Sequence, residues 1–206
     1  MNNLPIPAPE ALAHSQCLHQ ALIDEISGAG GWLSFARFME QLLYAPGLGY
    51  YTAGARKFGA AGDFVTAPEM TALFGQALAR QAAQVMAASA PVVLEVGAGS
   101  GRLAADLLLT LEQAGSLPER YYILDLSADL RQRQQQTMAT SAPHLLNRVE
   151  WLDRLPEAFT GVVIANELLD AMPAHVIAWR EDAIYERGVS VDGAGIFTWS
   201  ERPANG

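Results

Sequence analysis

An acid and three glycines stand at alternate positions near the middle of the chain, Glu95-Val96-Gly97-Ala98-Gly99-Ser100-Gly101. An apolar run, Val92 to Val96, precedes this turn, and a helical pattern carrying Leu103, Leu107, Leu108 and Leu111 follows it. A turn in that order sits at the carboxyl end of a strand, where open α/β sheets bind their ligands. Glycines let backbone approach a ligand where a side chain would collide with it. The spacing narrows the choice of ligand. A dinucleotide fingerprint reads G-x-G-x-x-G, and Arg102 stands where its last glycine would be. A nicotinamide-dependent oxidoreductase is therefore disfavoured. What remains is a cradle for another cofactor, or a purely structural strand-to-helix connection.

Further polar residues fall where later strands end. A second strand is expected over Tyr121 to Leu126, and it presents Asp125, 24 residues past Gly101. An acid there can accept hydrogen bonds from both hydroxyls of a ribose; alternatively Asp125 or Ser127 caps the helix that follows. A short strand at Val149 to Trp151 leads to Asp153. A fourth, Gly161 to Ala165, runs into Asn166-Glu167-Leu168-Leu169-Asp170-Ala171-Met172-Pro173. Polar groups at successive strand ends converge on one crevice. Glu167 and Asp170 could also be acids favoured by a helix dipole. Upstream, Asp63-Phe64-Val65-Thr66-Ala67-Pro68-Glu69 ends a glycine-rich loop, with Pro68 in a first helical turn and Glu69 complementing its dipole.

The elements that position these residues follow from periodicity. An extended arm leads to a helix over about Pro9 to Ser27, ended by Gly28-Ala29-Gly30-Gly31. Ser34 reads as the N-cap of a second helix carrying Phe35, Phe38, Met39, Leu42 and Leu43. A third helix carries Met70, Leu73, Phe74, Ala77, Leu78, Val85 and Met86 and lasts to about Ala88. The stretch from Ser127 to about Ser141 is rich in Gln and Arg and reads as an exposed outer helix. Strands alternating with helices predict a doubly wound α/β sheet. The tail alternates apolar and polar residues around Asp192-Gly193-Ala194-Gly195, which predicts an antiparallel β insert. The expected division is an N-terminal helical segment with its loop over 1–88, a core over 89–174 and the insert over 175–206.

Composition bounds the partners. The 206 residues, half of them hydrophobic and 17% charged, suit a folded domain. A net charge of -9 disfavours nucleic acid, and tolerates a cationic substrate. The single cysteine, Cys17, excludes an internal disulfide and a cysteine-rich zinc site, and no metal is expected. Neither a run of ~20 apolar residues nor a targeting pattern is visible, so no membrane partner and a cytoplasmic location are expected.

Four stretches together resemble the MidA-like family of class I S-adenosylmethionine-dependent methyltransferases. They are Pro46-Gly47-Leu48-Gly49-Tyr50-Tyr51, the run from Gly59 to Glu69 with Phe74-Gly75, the loop Glu95 to Gly101, and Asn166 to Pro173. The family includes a mitochondrial protein-arginine methyltransferase that assists respiratory complex I assembly. The resemblance implies a Rossmann-like sheet of which the first four strands lie in this sequence, with the fourth as an apolar edge that could pair two copies of the chain. It also implies that the chain is a fragment or a shortened relative.

The resemblance further implies S-adenosyl-L-methionine as cofactor. Gly97, Gly99 and Gly101 would pass beneath its amino-acid end, and Asp125 would hold its ribose. Asn166 belongs to the same cleft, and Asp153 to the adenine. Glu95 would orient the loop or the methionine ammonium, or serve structure alone. The substrate implied is a protein arginine, on a respiratory-complex-type subunit. A guanidinium keeps its proton at physiological pH, so carboxylates must pair with it and take the proton as the new bond forms. Glu167 is the first candidate, then Asp170, while Asp63, Thr66, Pro68 and Glu69 would line a substrate or cofactor loop. The competing expectation is a cofactor-binding module or assembly factor without a complete substrate site.

Overall fold

The computed structural model describes residues 7–52, 66–181 and 183–204. Asp63 and most of the glycine-rich loop lie outside them. The chain divides into two compact units, one of residues 56–169 and one of residues 1–55 with 170–206.

The first of these holds a parallel sheet. Its strands are β2 (Val92–Val96), β3 (Arg120–Leu124), β4 (Val149–Leu152) and β5 (Val162–Ile164), in the order β4-β3-β2-β5. Three longer helices accompany it, α4 (Ala72–Ala88), α5 (Arg102–Gln113) and α6 (Ala128–Ser141). The register aligns Val93 with Tyr121 and Val162, and Tyr121 with Val149. These four residues therefore share one face of the sheet; Val93, Tyr121 and Val149 join one buried cluster with Ala79, Met86, Leu107, Leu108 and Met138, and the half-buried Val162 packs against it. All three helices thus contribute to the same core. Parallel strands buried this way read as continuous apolar runs, which Val92-Val93-Leu94 illustrates. Among the described residues β5 is an edge, and Val163 there is 58% exposed.

Helix packing in this unit depends on one close approach. A Cβ at Gly75 of α4 would lie 2.8 Å from the Asp106 Cβ of α5. Preceding α4 is a short helix, α3 (Ala67–Met70), with Pro68 in its first turn as expected. The single helix expected to run on to Ala88 is interrupted at Thr71, where φ is -162° and ψ 140°. The Thr71 hydroxyl accepts the Leu73 N–H at 3.2 Å, so a second helix starts there.

The other unit joins both ends of the chain. Helices α1 (Pro9–Gly28) and α2 (Phe35–Tyr44) accompany an antiparallel sheet of β1 (Leu33–Ser34), β6 (Val176–Trp179), β7 (Ile184–Val191) and β8 (Phe197–Pro203). Strand β7 is central and pairs with the other three. Leu22, Ile26, Leu33, Phe38 and Val189 form its buried core. Ser34 caps α2, accepting the Arg37 N–H at 3.2 Å. The antiparallel tail thus forms, with Asp192 Oδ1 accepting the Ala194 and Ile196 N–H groups at 2.9 Å to close its last turn.

These contacts move the expected boundaries. Leu33 aligns with Val189 across the sheet, so the N-terminal helices and the C-terminal insert are one body. Helix α4, expected with the N-terminal segment, packs on α5 and belongs with the parallel sheet. An amphipathic stripe states that a helix is buried and leaves open against what. Among the described residues no helix is long and apolar enough to cross a membrane.

Candidate cofactor site

The site is built where β2 and β3 end. Gly97, Gly99 and Gly101 all have positive φ, at 72°, 54° and 81°, which L side chains adopt only at a cost. Each glycine also has its own surroundings. A Cβ at Gly97 would lie 3.0 Å from Leu168 Cδ1, and one at Gly101 would lie 2.9 Å from Gln134 Cα. At Gly99 a Cβ would meet nothing within 4 Å. Gly97 and Gly101 are therefore packed, while Gly99 leaves space open to a ligand. The Gly97 N–H donates to Leu124 O at 2.9 Å, tying the loop to the end of β3. Ser100 donates its hydroxyl proton to the Glu69 carboxylate, which tethers α3 to the same loop.

Asp125 follows β3 and is 8% exposed. Its Oδ1 accepts the Ser127 N–H at 3.0 Å and its Oδ2 accepts from Gln134 Nε2 at 2.8 Å. Burial pushes this carboxyl above the usual carboxylate range, while the hydrogen bonds from Ser127, Gln134 and Leu126 and the Arg131 charge pull it back. Of the expected alternatives, the helix cap is the one seen at this turn. Ser127 caps α6 by accepting the Leu130 N–H at 3.3 Å, which leaves Asp125 able to accept from a ligand.

Helix α6 supplies two residues that its polar composition hides. Gln134 is 0% exposed, which corrects the expectation of a solvated outer helix. Its Nε2 also donates to Gly99 O at 3.1 Å, and its Oε1 accepts the Trp151 indole N–H at 3.0 Å. Arg131 donates from Nε to Asp125 O at 2.9 Å and from a terminal nitrogen to Leu152 O, joining the ends of β3 and β4. Its other terminal nitrogen pairs with Asp153 at 2.8 Å, whose side chain is 90% exposed. The spacing Leu130, Gln134, Met138 is one turn repeated, and that was the available signal.

Glu95 lies just before the glycines, on β2, and is 2% exposed. Tyr121 donates its hydroxyl proton to Glu95 Oε2 at 2.7 Å. Burial is the main cause that pushes the Glu95 carboxyl up to about 7, against the lowering effect of the Tyr121 bond.

After β5 the chain turns through Asn166, half-buried, and Glu167, exposed with φ 52°. Glu167 is the one non-glycine residue with positive φ among the described residues. Leu168 then packs beside Gly97. The unit boundary separates Glu167 from Asp170. In its own unit Asp170 is exposed in the turn Leu169–Ala171, where its charge adds to the burial that raises the Tyr51 phenol. Tyr44 holds that turn by donating to Ala171 O at 2.7 Å. Thr66 takes the N-cap position of α3 without a side-chain capping bond, Pro68 fills its first turn, and Glu69 holds Ser100. Among the described residues no group of three or more His, Cys, Asp or Glu side chains could hold a metal.

The open φ-positive Gly99, a carboxylate with acceptor capacity, and a loop held rigid on both sides fit a nucleoside cofactor carrying a polar tail. The family model described as "putative S-adenosyl-L-methionine-dependent methyltransferase" matches residues 77–206. The chain belongs to that family.

Three further likenesses agree with this placement. A crystal structure from Burkholderia thailandensis, bound to S-adenosyl-homocysteine, is 52% identical and superposes with a TM-score of 0.88, over 98% of this chain and 54% of that one. Mitochondrial protein arginine methyltransferase NDUFAF7 of Danio rerio is 31% identical, over 92% of this chain and 52% of its own length. The Caenorhabditis elegans homolog is 28% identical, over 82% of this chain and 44% of its own. The chain thus spans about half the length of these relatives. It belongs to the MidA-like family, whose cofactor is S-adenosyl-L-methionine, and it has a Rossmann-like α/β fold.

Proposed function

We propose that this methyltransferase acts on the guanidinium of a protein arginine, with Glu167 as the carboxylate that meets it. The reading rests on one observation above others: Glu167 is an exposed acid held at φ 52° in the turn whose next residue packs against Gly97 of the cofactor loop. A non-glycine residue kept in that conformation costs of order 1–2 kcal/mol, and such strain collects at functional sites. The naming of the zebrafish and nematode relatives as protein arginine methyltransferases supports the same substrate.

In this reading the glycine loop accommodates the amino-acid end of the cofactor, and Asp125 accepts hydrogen bonds from the ribose hydroxyls. When bound, S-adenosyl-L-methionine supplies a methyl group activated by its sulfonium. Glu167 pairs with the guanidinium, which stays protonated at neutral pH, and accepts the proton that nitrogen loses as it gains the methyl. Placement does most of the remaining work, since an in-line displacement needs its reacting atoms ~3–3.5 Å apart.

The test is methyl transfer from labelled S-adenosyl-L-methionine to matched peptides whose target residue is arginine or lysine. Label on the arginine peptide is expected; label on lysine alone overturns the substrate reading. A second reading is a cofactor-binding module without transfer. Saturable S-adenosylhomocysteine binding with no transfer to either peptide would select it.

A further inference from the structure

Gln134 spends every polar atom of its amide inside the cofactor site. Its two Nε2 protons go to Gly99 O at 3.1 Å and Asp125 Oδ2 at 2.8 Å, and its Oε1 accepts from Trp151 at 3.0 Å. An indole N–H can only donate, and a backbone carbonyl and a carboxylate only accept. The amide therefore has one workable orientation. Flipped, it would set oxygen against two acceptors and nitrogen against a donor. A fully buried polar side chain with all three partners satisfied is rigid, and the close contact at Gly101 holds its backbone as well.

We propose that Gln134 is a cofactor-positioning residue: through one amide it locks the glycine loop to Asp125, so that the ribose carboxylate is held ready to accept the cofactor's hydroxyls. This rests on the assignment of the ribose to Asp125. One carboxylate oxygen is oriented by the Ser127 backbone and the other by Gln134, so the side chain cannot rotate away from the loop. Without Gln134 the carboxylate keeps a single fixed oxygen, and a ligand must order the rest on binding. The cost of that ordering falls on ligands that use the ribose hydroxyls and spares those that do not.

Calorimetric titration of the whole chain with S-adenosylhomocysteine and its 2′,3′-dideoxy analogue tests this. The parent protein should bind the analogue roughly tenfold or more weakly, as expected for losing hydrogen bonds to a charged group. In Gln134→Met, affinity for S-adenosylhomocysteine should fall by about tenfold while the analogue changes by less than about threefold, closing the gap. Equal losses for both ligands, or no loss for either, would overturn the proposal. If Gln134→Met does not fold, Trp151→Phe removes the donor that orients the amide and should give the same selective loss, smaller in size; equal losses overturn it there too. A parent protein indifferent to the missing hydroxyls would remove the Asp125 assignment itself, and this proposal with it.

Discussion

Tyr121 donates its hydroxyl proton to Glu95 Oε2 across 2.7 Å, and both side chains are buried, on the adjacent strands β3 and β2. The pair places an acid with a carboxyl pushed up to about 7 two residues before the first glycine. Burial outweighs the phenol's help, so the native state prefers this carboxyl protonated.

That preference gives stability a pH dependence. A raised native pKa contributes stability that is full below the unfolded value of about 4.5 and is lost as pH rises through about 7. The full difference is on the order of 3 kcal/mol. Glu95→Gln has no such titration. Denaturant unfolding at pH 5 and pH 8 should show the parent losing up to about 3 kcal/mol relative to Glu95→Gln between the two. A difference between the two proteins that stays constant with pH would reject the assignment.

The three glycines of the loop are not equivalent. At Gly101 an alanine meets both positive φ and the Gln134 backbone at 2.9 Å, so Gly101→Ala should destabilise by about 2–4 kcal/mol. Gly99→Ala faces strain alone and should cost about 1 kcal/mol, while weakening S-adenosylhomocysteine roughly tenfold because the new methyl enters the ligand space. Thermal unfolding and ligand titration of both variants check the contrast. Equal stability losses with unchanged affinities would contradict it.

Glu167 should show the opposite sign. Glycine accepts φ 52° freely, so Glu167→Gly should be no less stable than the parent, and up to about 1 kcal/mol more stable. Glu167→Ala keeps the strain and should not gain. A clear stability loss in Glu167→Gly, measured by denaturant unfolding, would show that the side chain is needed structurally.

Much of this site was legible in the sequence, for identifiable reasons. The glycine spacing, Arg102 and the acid after the second strand depend on local order along the chain. Asp125 was expected in the last residues of a strand running to Leu126 and instead follows β3, which ends at Leu124, and the Ser34 and Ser127 caps obey a local rule. Gln134 escaped because polar composition suggests solvent, whereas burial here comes from three partners distant in sequence: Gly99, Asp125 and Trp151. The pairing of Leu33 with Val189 escaped because a two-residue strand shows no alternation. Thr71 escaped because an apolar stripe continues across it while its side chain restarts the helix. The positive φ of Glu167 leaves no mark in residue type at all.

The central claim is tested most directly by methyl transfer to an arginine peptide at saturating S-adenosyl-L-methionine, comparing the parent with Glu167→Gln. The account predicts that transfer falls by about 10²-fold or more, while S-adenosylhomocysteine affinity stays within about twofold. Retained turnover in Glu167→Gln, or a parallel collapse of cofactor binding, would contradict it.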